Sequence, residues 1–358
     1  MMSKIIVYIP VKNDAWCIEK SIKHAVLWAD EVIVADECSI DGSIKIYKEL
    51  DKKYNNLTII YNRPKFDFTT SEPRNYMLEQ VRKFDGNNLI FEIHADEIMS
   101  AEILKPKIKN KLINDMPVGA ALMLPWITLW KHPLFYRDDR SVWSNNRCWF
   151  AFRDDRKAQF TSAYFHGPRA PDRFLNNIVN IDYLKVLHYQ FVNMDIERSK
   201  QALYQIFEKN HYPDKNIEYI NKTYACAFDE RDIKVSRIDE NHIKPWIKKG
   251  INIDEEYSSY AYNWRDSEVL KNFLREGVEK YMGLNIWYID WEDKRKKAIN
   301  LGIDNIPKEI IIDPRDWSTK KAHMFLMKYQ MYPFWKIDFY KLLVVKAIEN
   351  IKRKINSD

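Results

Sequence analysis

Four short apolar runs, each set apart from the next by a helix-length stretch, fill the first hundred residues, and few folds accommodate that spacing. The runs cover residues 4–10, 31–35, 57–61 and 89–93. The first, KIIVYIP, is β-branched and apolar on both faces, as strands buried in a parallel sheet are. Residues 13–29 carry Ile18, Ile22, Ala25, Val26 and Ala29 at helical spacing, with Asn13 or Asp14 as the cap. Ser71 caps another helix that runs to about residue 84, with Pro73 in its first turn. This alternation predicts an α/β fold with a doubly wound, mostly parallel central sheet flanked by helices.

The fourth run ends abruptly. Residues 88–100 read NLIFEIHADEIMS, so a buried strand stops on His94, Ala95, Asp96 and Glu97. In open α/β sheets ligands bind outside the carboxyl ends of the strands. Hard divalent cations take carboxylate oxygens there and share them with substrate phosphates. A polar turn with Glu97 or Ser100 capping the next helix is the alternative. No glycine precedes Gly42. That excludes the Gly-rich first turn of a dinucleotide-binding fold, and a P-loop with it.

Four elements now stand in order: PVKND after the first strand, DECSIDGS after the second, the pair Arg74–Asn75 on a helix, and HADE after the fourth strand. Together they resemble a family 2 glycosyltransferase of the GT-A fold, and within it the group of lipopolysaccharide-core glucosyltransferases. The resemblance covers about the first hundred residues and continues loosely to about residue 210. It implies a nucleotide-diphosphate sugar as donor, a divalent metal (Mn2+ or Mg2+), and a glycan, lipid-linked or protein acceptor. Pro10, Lys12 and Asp14 in the first turn, with Asp36, Arg74 and His94, are then the donor-binding candidates. Asp36 and Asp14 have the chemistry to accept from a uracil N–H or a ribose hydroxyl, and helix capping stays open for both. Ser39, Asp41 and Gly42 shape the second turn. Asp96 is the expected metal ligand and catalytic residue, and a late histidine, His188 in YLKVLHYQF, completes the metal site. His94 replaces the family's first aspartate; it either contacts nucleotide or metal, or leaves Asp96 to work alone. The family's histidine–glutamate pair has its nearest match in His166–Gly167, without the glutamate. Asp172 is the nearest candidate for the general base.

Beyond residue 119 the sequence predicts strands at 119–130, 146–155 and 183–191. A charged, aromatic, acceptor-facing loop spans 131–146, a helix 195–210, and a short strand 308–314. The organisation expected is a GT-A domain over 1–230 and a mainly helical extension over 231–358. From Phe334 the chain is amphipathic, aromatic and basic, and reads either as a helix packed on the body or as a peripheral membrane contact. The net charge of +6 suits an anionic substrate or membrane surface. No helix-turn-helix or zinc-finger pattern occurs, so no nucleic acid is expected. The four cysteines lie far apart, without a C-x-x-C. With no signal peptide and no apolar run near the ~20 residues of a span, the expected place is the cytoplasm, with peripheral contact on the inner face of the membrane. The reaction expected is metal-dependent, inverting sugar transfer in cell-surface glycan biosynthesis. The alternatives are a weak or inactive relic that binds nucleotide or glycan, and a sugar nucleotidyltransferase.

Overall fold

The strand β1 (Ile5–Val11) sits at the middle of the sheet, with every residue but Pro10 buried. The structure is a computed structural model and describes residues 3–67, 70–139, 144, 146–162, 167–228, 233–253 and 262–329. In chain order β1 is followed by α1 (Ile18–Ala25), β2 (Glu31–Asp36), α2 (Ser43–Asp51), β3 (Leu57–Ile60), α3 (Glu72–Val81), β4 (Leu89–Glu92) and β5 (Glu97–Met99). Then come α4 (Pro106–Asp115), β6 (Ala121–Trp130), β7 (Phe135–Arg137), β8 (Asn146–Arg153), β9 (Ile178–Asn180) and β10 (Val186–Phe191). The remainder is α5 (Met194–His211), α6 (Ile217–Tyr224), β11 (Val235–Arg237), α7 (Lys244–Lys248), α8 (Trp264–Glu276), α9 (Trp291–Asn300) and α10 (Trp317–Tyr329).

The sheet runs β3-β2-β1-β4-β8-β6-β7-β11. Its first four strands are parallel, as the alternation predicts. The next pairings, β4 with β8 and β8 with β6, are antiparallel, so the sheet as a whole is mixed. β10 runs parallel to β6 and antiparallel to β5. The order carries a consequence for ligands. The chain winds outward from β1 to β2 and β3, then crosses back to lay β4 on the other side of β1. That makes a topological switch point between the carboxyl ends of β1 and β4. Helix α3 packs Met77, Leu78 and Val81 onto Ile6, Tyr8, Ile33 and Ile90.

The chain divides into two compact units, Met1–Asn193 with Lys234–Tyr260, and Met194–Ile233 with Ala261–Asp358. It passes between them three times, where a single boundary near residue 230 is expected. Among its described residues the second unit is helical, with a core of Leu203, Ile206, Tyr224, Leu270 and Phe273. Phe273 stacks on Trp287 at 5.3 Å. The strand expected over 308–314 is absent: the backbone there is irregular, and Ile311 turns inward while Ile310 and Ile312 face solvent. Among the described residues no helix is long and apolar enough to cross a membrane. The basic stretch from Phe334, and His166, lie outside the described residues.

The two turns after β1 and β2 are stitched together. α1 starts only at Ile18, behind Cys17, which makes no side-chain cap, while the carbonyl of Asp14 already receives Cys17 N and Ile18 N. Asn13 instead adopts φ 53, a left-handed backbone that asparagine tolerates better than most residues. Its amide oxygen accepts from Ile40 N (2.7 Å), and its own N–H donates to Ser39 Oγ (2.8 Å). Asp41 accepts from Ala15 N (2.9 Å), Ser43 N (3.1 Å) and Ser43 Oγ (2.6 Å). Gly42, at φ 101, supplies the left-handed residue that lets α2 begin there. Asp41→Ala removes the acceptor for two backbone N–H groups and is expected to cost about 1–2 kcal/mol of stability. Asp41→Asn keeps an acceptor and retains most of it. Urea midpoints of the two variants check this; equal midpoints would contradict the stitching role.

Candidate functional site

Five side chains meet at the carboxyl end of β4. Glu92 is its last residue and is buried. Arg74, from the first turns of α3, reaches to 3.6 Å from Glu92 Oε2 and donates to Gly167 O at 3.0 Å. The His94 ring lies 3.5 Å from Glu92 Oε1 on one side and 3.3 Å from Arg169 Nη2 on the other. Glu97, at the start of β5, takes two hydrogen bonds from buried Arg169, at 2.6 and 2.8 Å, and one from His94 N at 2.8 Å. Arg169 also donates to Glu92 O (3.1 Å) and stacks over Phe150. Burial pushes both carboxyls up, but nearby positive charge outweighs it. Arg74, with smaller contributions from His94 and Arg169, holds Glu92 at about 2. Arg169 holds Glu97 below its ordinary value. Two buried acids and two arginines therefore form a charge-balanced floor beneath the strand end.

Sequence reading treats His94 and Asp96 as neighbours on one face of an extended strand. The strand in fact stops at Glu92, and residues 94–97 form a turn closed by Glu97 N donating to His94 O at 3.0 Å. Residues 94 and 96 therefore do not share a face by strand alternation. The His94 side chain is 42% exposed beside Glu92 and Arg169, while Asp96 lies against a different partner. Asp96 Oδ2 is 3.6 Å from Nε2 of His188, which β10 brings in from 92 positions along the chain. The His188 ring stacks on Trp126 of β6 at 4.4 Å, which fixes its orientation. Two ligands on one ion at about 2.1 Å lie about 3 Å apart at right angles, and further apart as the angle opens. A separation of 3.6 Å fits a shared divalent ion. Among the described residues no group of three His, Cys, Asp or Glu side chains converges on such a point. The remaining positions would fall to phosphate oxygens and water, as is usual for Mg2+.

The other expected site residues divide. Lys12, just past β1, donates to Glu37 Oε1 at 2.8 Å with its ammonium part exposed. Glu37 is buried and also binds Arg63 at 2.6 Å. Asp14 is half-buried, and its carbonyl receives Cys17 N and Ile18 N. Pro10, the one half-buried residue of β1, pairs with Ala35. Asp36 is fully buried. Its oxygens accept from Ser39 N (3.0 Å) and Tyr47 OH (3.1 Å), so they fasten the turn from beneath. Asn75 is satisfied in both directions by Phe160 N and O, at 2.9 Å each. Asp172 accepts from Thr161 N, Thr161 Oγ1 and Ser162 N. Burial raises its pKa, but those hydrogen bonds override it and hold the carboxyl well below the usual range. A carboxylate so held is a weak proton acceptor and a strong loop anchor. Sequence reading passes over Glu92 and Arg169 as site residues; Glu97 it places in the acidic strand end or at a helix cap, whereas the carboxylate is turned inward onto Arg169. An acid inside an apolar strand is the signal for Glu92; an arginine in a Gly-Pro-rich loop offers none.

No family model matches the chain, and no curated protein matches it. Among solved structures, it is similar to S. aureus TarS, with 16% identity, 64% of this chain and 50% of that chain covered, and a TM-score of 0.37. It is similar to the mannosyltransferase PcManGT of Pyrobaculum calidifontis, solved with GDP-Man and Mn2+, with 12% identity, coverage of 85% and 87%, and a TM-score of 0.36. It is also similar to GalNAc-T7, solved with UDP, GalNAc and Mn2+, with 11% identity, coverage of 77% and 58%, and a TM-score of 0.35. The chain thus spans about half the length of TarS and of GalNAc-T7. Likenesses this distant carry no functional weight, and the chain's own residues must.

The charge-balanced floor makes stability depend on acid. Glu92 sits at about 2 in the folded chain against 4.5 ordinarily, so on acidification the unfolded chain takes up the proton first. Its contribution, about 3 kcal/mol, is complete above pH 4.5 and disappears as pH falls toward 2. Glu92→Gln is expected to flatten the pH dependence of the urea midpoint across that window. An unchanged slope would mean that Arg74 and His94 do not hold the carboxylate.

Proposed function

We propose that this chain is a glycosyltransferase of the GT-A type that moves a sugar from a nucleoside diphosphate donor to a glycan, lipid-linked or protein acceptor. One observation carries the reading. Asp96 and His188, distant in sequence, meet 3.6 Å apart beyond the end of β4, beside the switch point where an α/β sheet takes its ligand. A divalent ion held by this pair would neutralise charge on the departing diphosphate. Lys12 and Arg74 supply fixed positive charge for the same oxygens. Asp14 and the Pro10 turn offer acceptors for the nucleoside. Asp36 supports that turn through Ser39 and Tyr47. The exposed His94 ring adds a nitrogen donor or acceptor at the edge of the same crevice. The resemblance of PVKND, DECSIDGS, Arg74–Asn75 and HADE to family 2 enzymes supports the same assignment, with inversion by single displacement.

A second reading, a relic that binds nucleotide without transfer, draws on Asp172, whose hydrogen bonds leave it a weak base. A panel of nucleotide sugars with Mn2+ or Mg2+, scored for nucleoside diphosphate release, separates the two. A transferase releases diphosphate with one donor and needs the metal; a relic binds nucleotide and releases none. Asp96→Asn is expected to lower turnover by two or more decades, several kcal/mol of transition-state stabilisation. His188→Ala should weaken Mn2+ binding in calorimetry with nucleoside diphosphate present. Near-normal turnover in a folded Asp96→Asn protein would overturn the metal assignment.

A further inference from the structure

The positive charge of this chain is not spread along it. The whole sequence has 57 Lys and Arg against 51 Asp and Glu, and residues 317–358 alone have nine against three. The entire excess of +6 therefore lies in the last stretch, and the rest is neutral. That stretch begins with α10, a helix of the second unit whose residues 317–325 bury little besides His323. His323 is its inward residue, held 3.1 Å from buried Arg315. On the outward side Trp317, Lys321 and Met324 follow at helical spacing, with Trp317 75% and Met324 54% exposed. The Lys321 ammonium lies 5.6 Å from the Trp317 ring centroid. Just before the helix, Ile310 is 70% and Ile312 73% exposed. Lys320 pairs with Asp313 at 3.3 Å, which brings the Ile312 end alongside the first turn of α10.

We propose that this apolar, lysine-edged surface docks the protein onto an anionic lipid bilayer. Exposed large apolar side chains clustered with basic ones mark interaction sites, and tryptophan beside lysine suits the boundary between headgroup and acyl chain. Charge decides the occupant. The neighbouring acids are committed, Asp313 to Arg315 and Lys320, and Asp316 to Ser318 Oγ and Thr319 N. A second copy docked face to face would set Lys321 against a basic edge of the same kind. An anionic surface supplies the missing sign. The inference goes beyond the transfer reaction and does not depend on it.

Sedimentation of the full chain with vesicles tests it. The protein is expected to bind phosphatidylcholine vesicles that contain phosphatidylglycerol, to bind pure phosphatidylcholine weakly, and to be released by salt. Tryptophan emission shifts to the blue on binding in the wild type and less so in Trp317→Ser, which separates this residue from the other eleven tryptophans. Lys321→Ser should lower partitioning about fivefold, and Trp317→Ser with Met324→Ser at least about tenfold. These side chains are exposed, so circular dichroism should report an unchanged fold. No binding to anionic vesicles overturns the proposal, whether the face is then covered by the chain itself or by a second copy. Binding that is unchanged in Trp317→Ser/Met324→Ser overturns it too, because the lipid contact would then lie outside α10.

Discussion

The Arg169–Glu97 ion pair is the constraint on which the strand end depends. Removing a carboxylate from water costs several kcal/mol unless a partner of opposite charge and good geometry replaces the solvent. Glu97 meets that condition with two hydrogen bonds from Arg169 and one from His94 N. Arg169 then binds the carbonyl of Glu92 as well, so a single side chain fixes the end of β4 and the start of β5. Between them the chain turns sharply, and this turn carries Asp96 outward to His188. Asp96 and His188 come within 3.6 Å of one another just past this turn.

A similar arrangement operates one strand over. Glu37 is buried between Lys12 and Arg63, and Asp36 beside it holds Ser39 and Tyr47. Both are acids of the second turn, and both point into the protein. They set the backbone of the second turn, while Lys12, Asp14 and His94 keep solvent access. The strand ends thus carry a paired, buried set of charges that fixes backbone geometry, alongside these half-exposed groups.

Much of the sheet was legible because buried parallel strands and amphipathic helices write different periods into a chain. The runs at 4–10, 31–35 and 57–61 became β1, β2 and β3, and 195–210 became most of α5. Residues 308–314 misled, since an Ile-rich run pairs as a strand only where a neighbour offers a free edge, and Ile311 alone found a core. The caps misled as well. Asn13 looks like a helix starter, but its hydrogen bonds go to the adjacent turn instead.

By itself the sequence determined the strand–helix alternation, the lack of a glycine-rich first turn, the acidic end of the fourth strand and the concentration of charge in the last residues. Each of these is local, set by neighbours within a few positions. Tertiary structure decided which polar groups face one another. Asp96 and His188 are 92 positions apart, and Glu97 and Arg169 are 72. Nothing in either residue's neighbourhood encodes its partner. The pairings follow from strand order and register, which place β10 against β5 and bring the loop of Arg169 over the end of β4. Burial then makes them obligatory, because in a low dielectric each charge must find its counterpart.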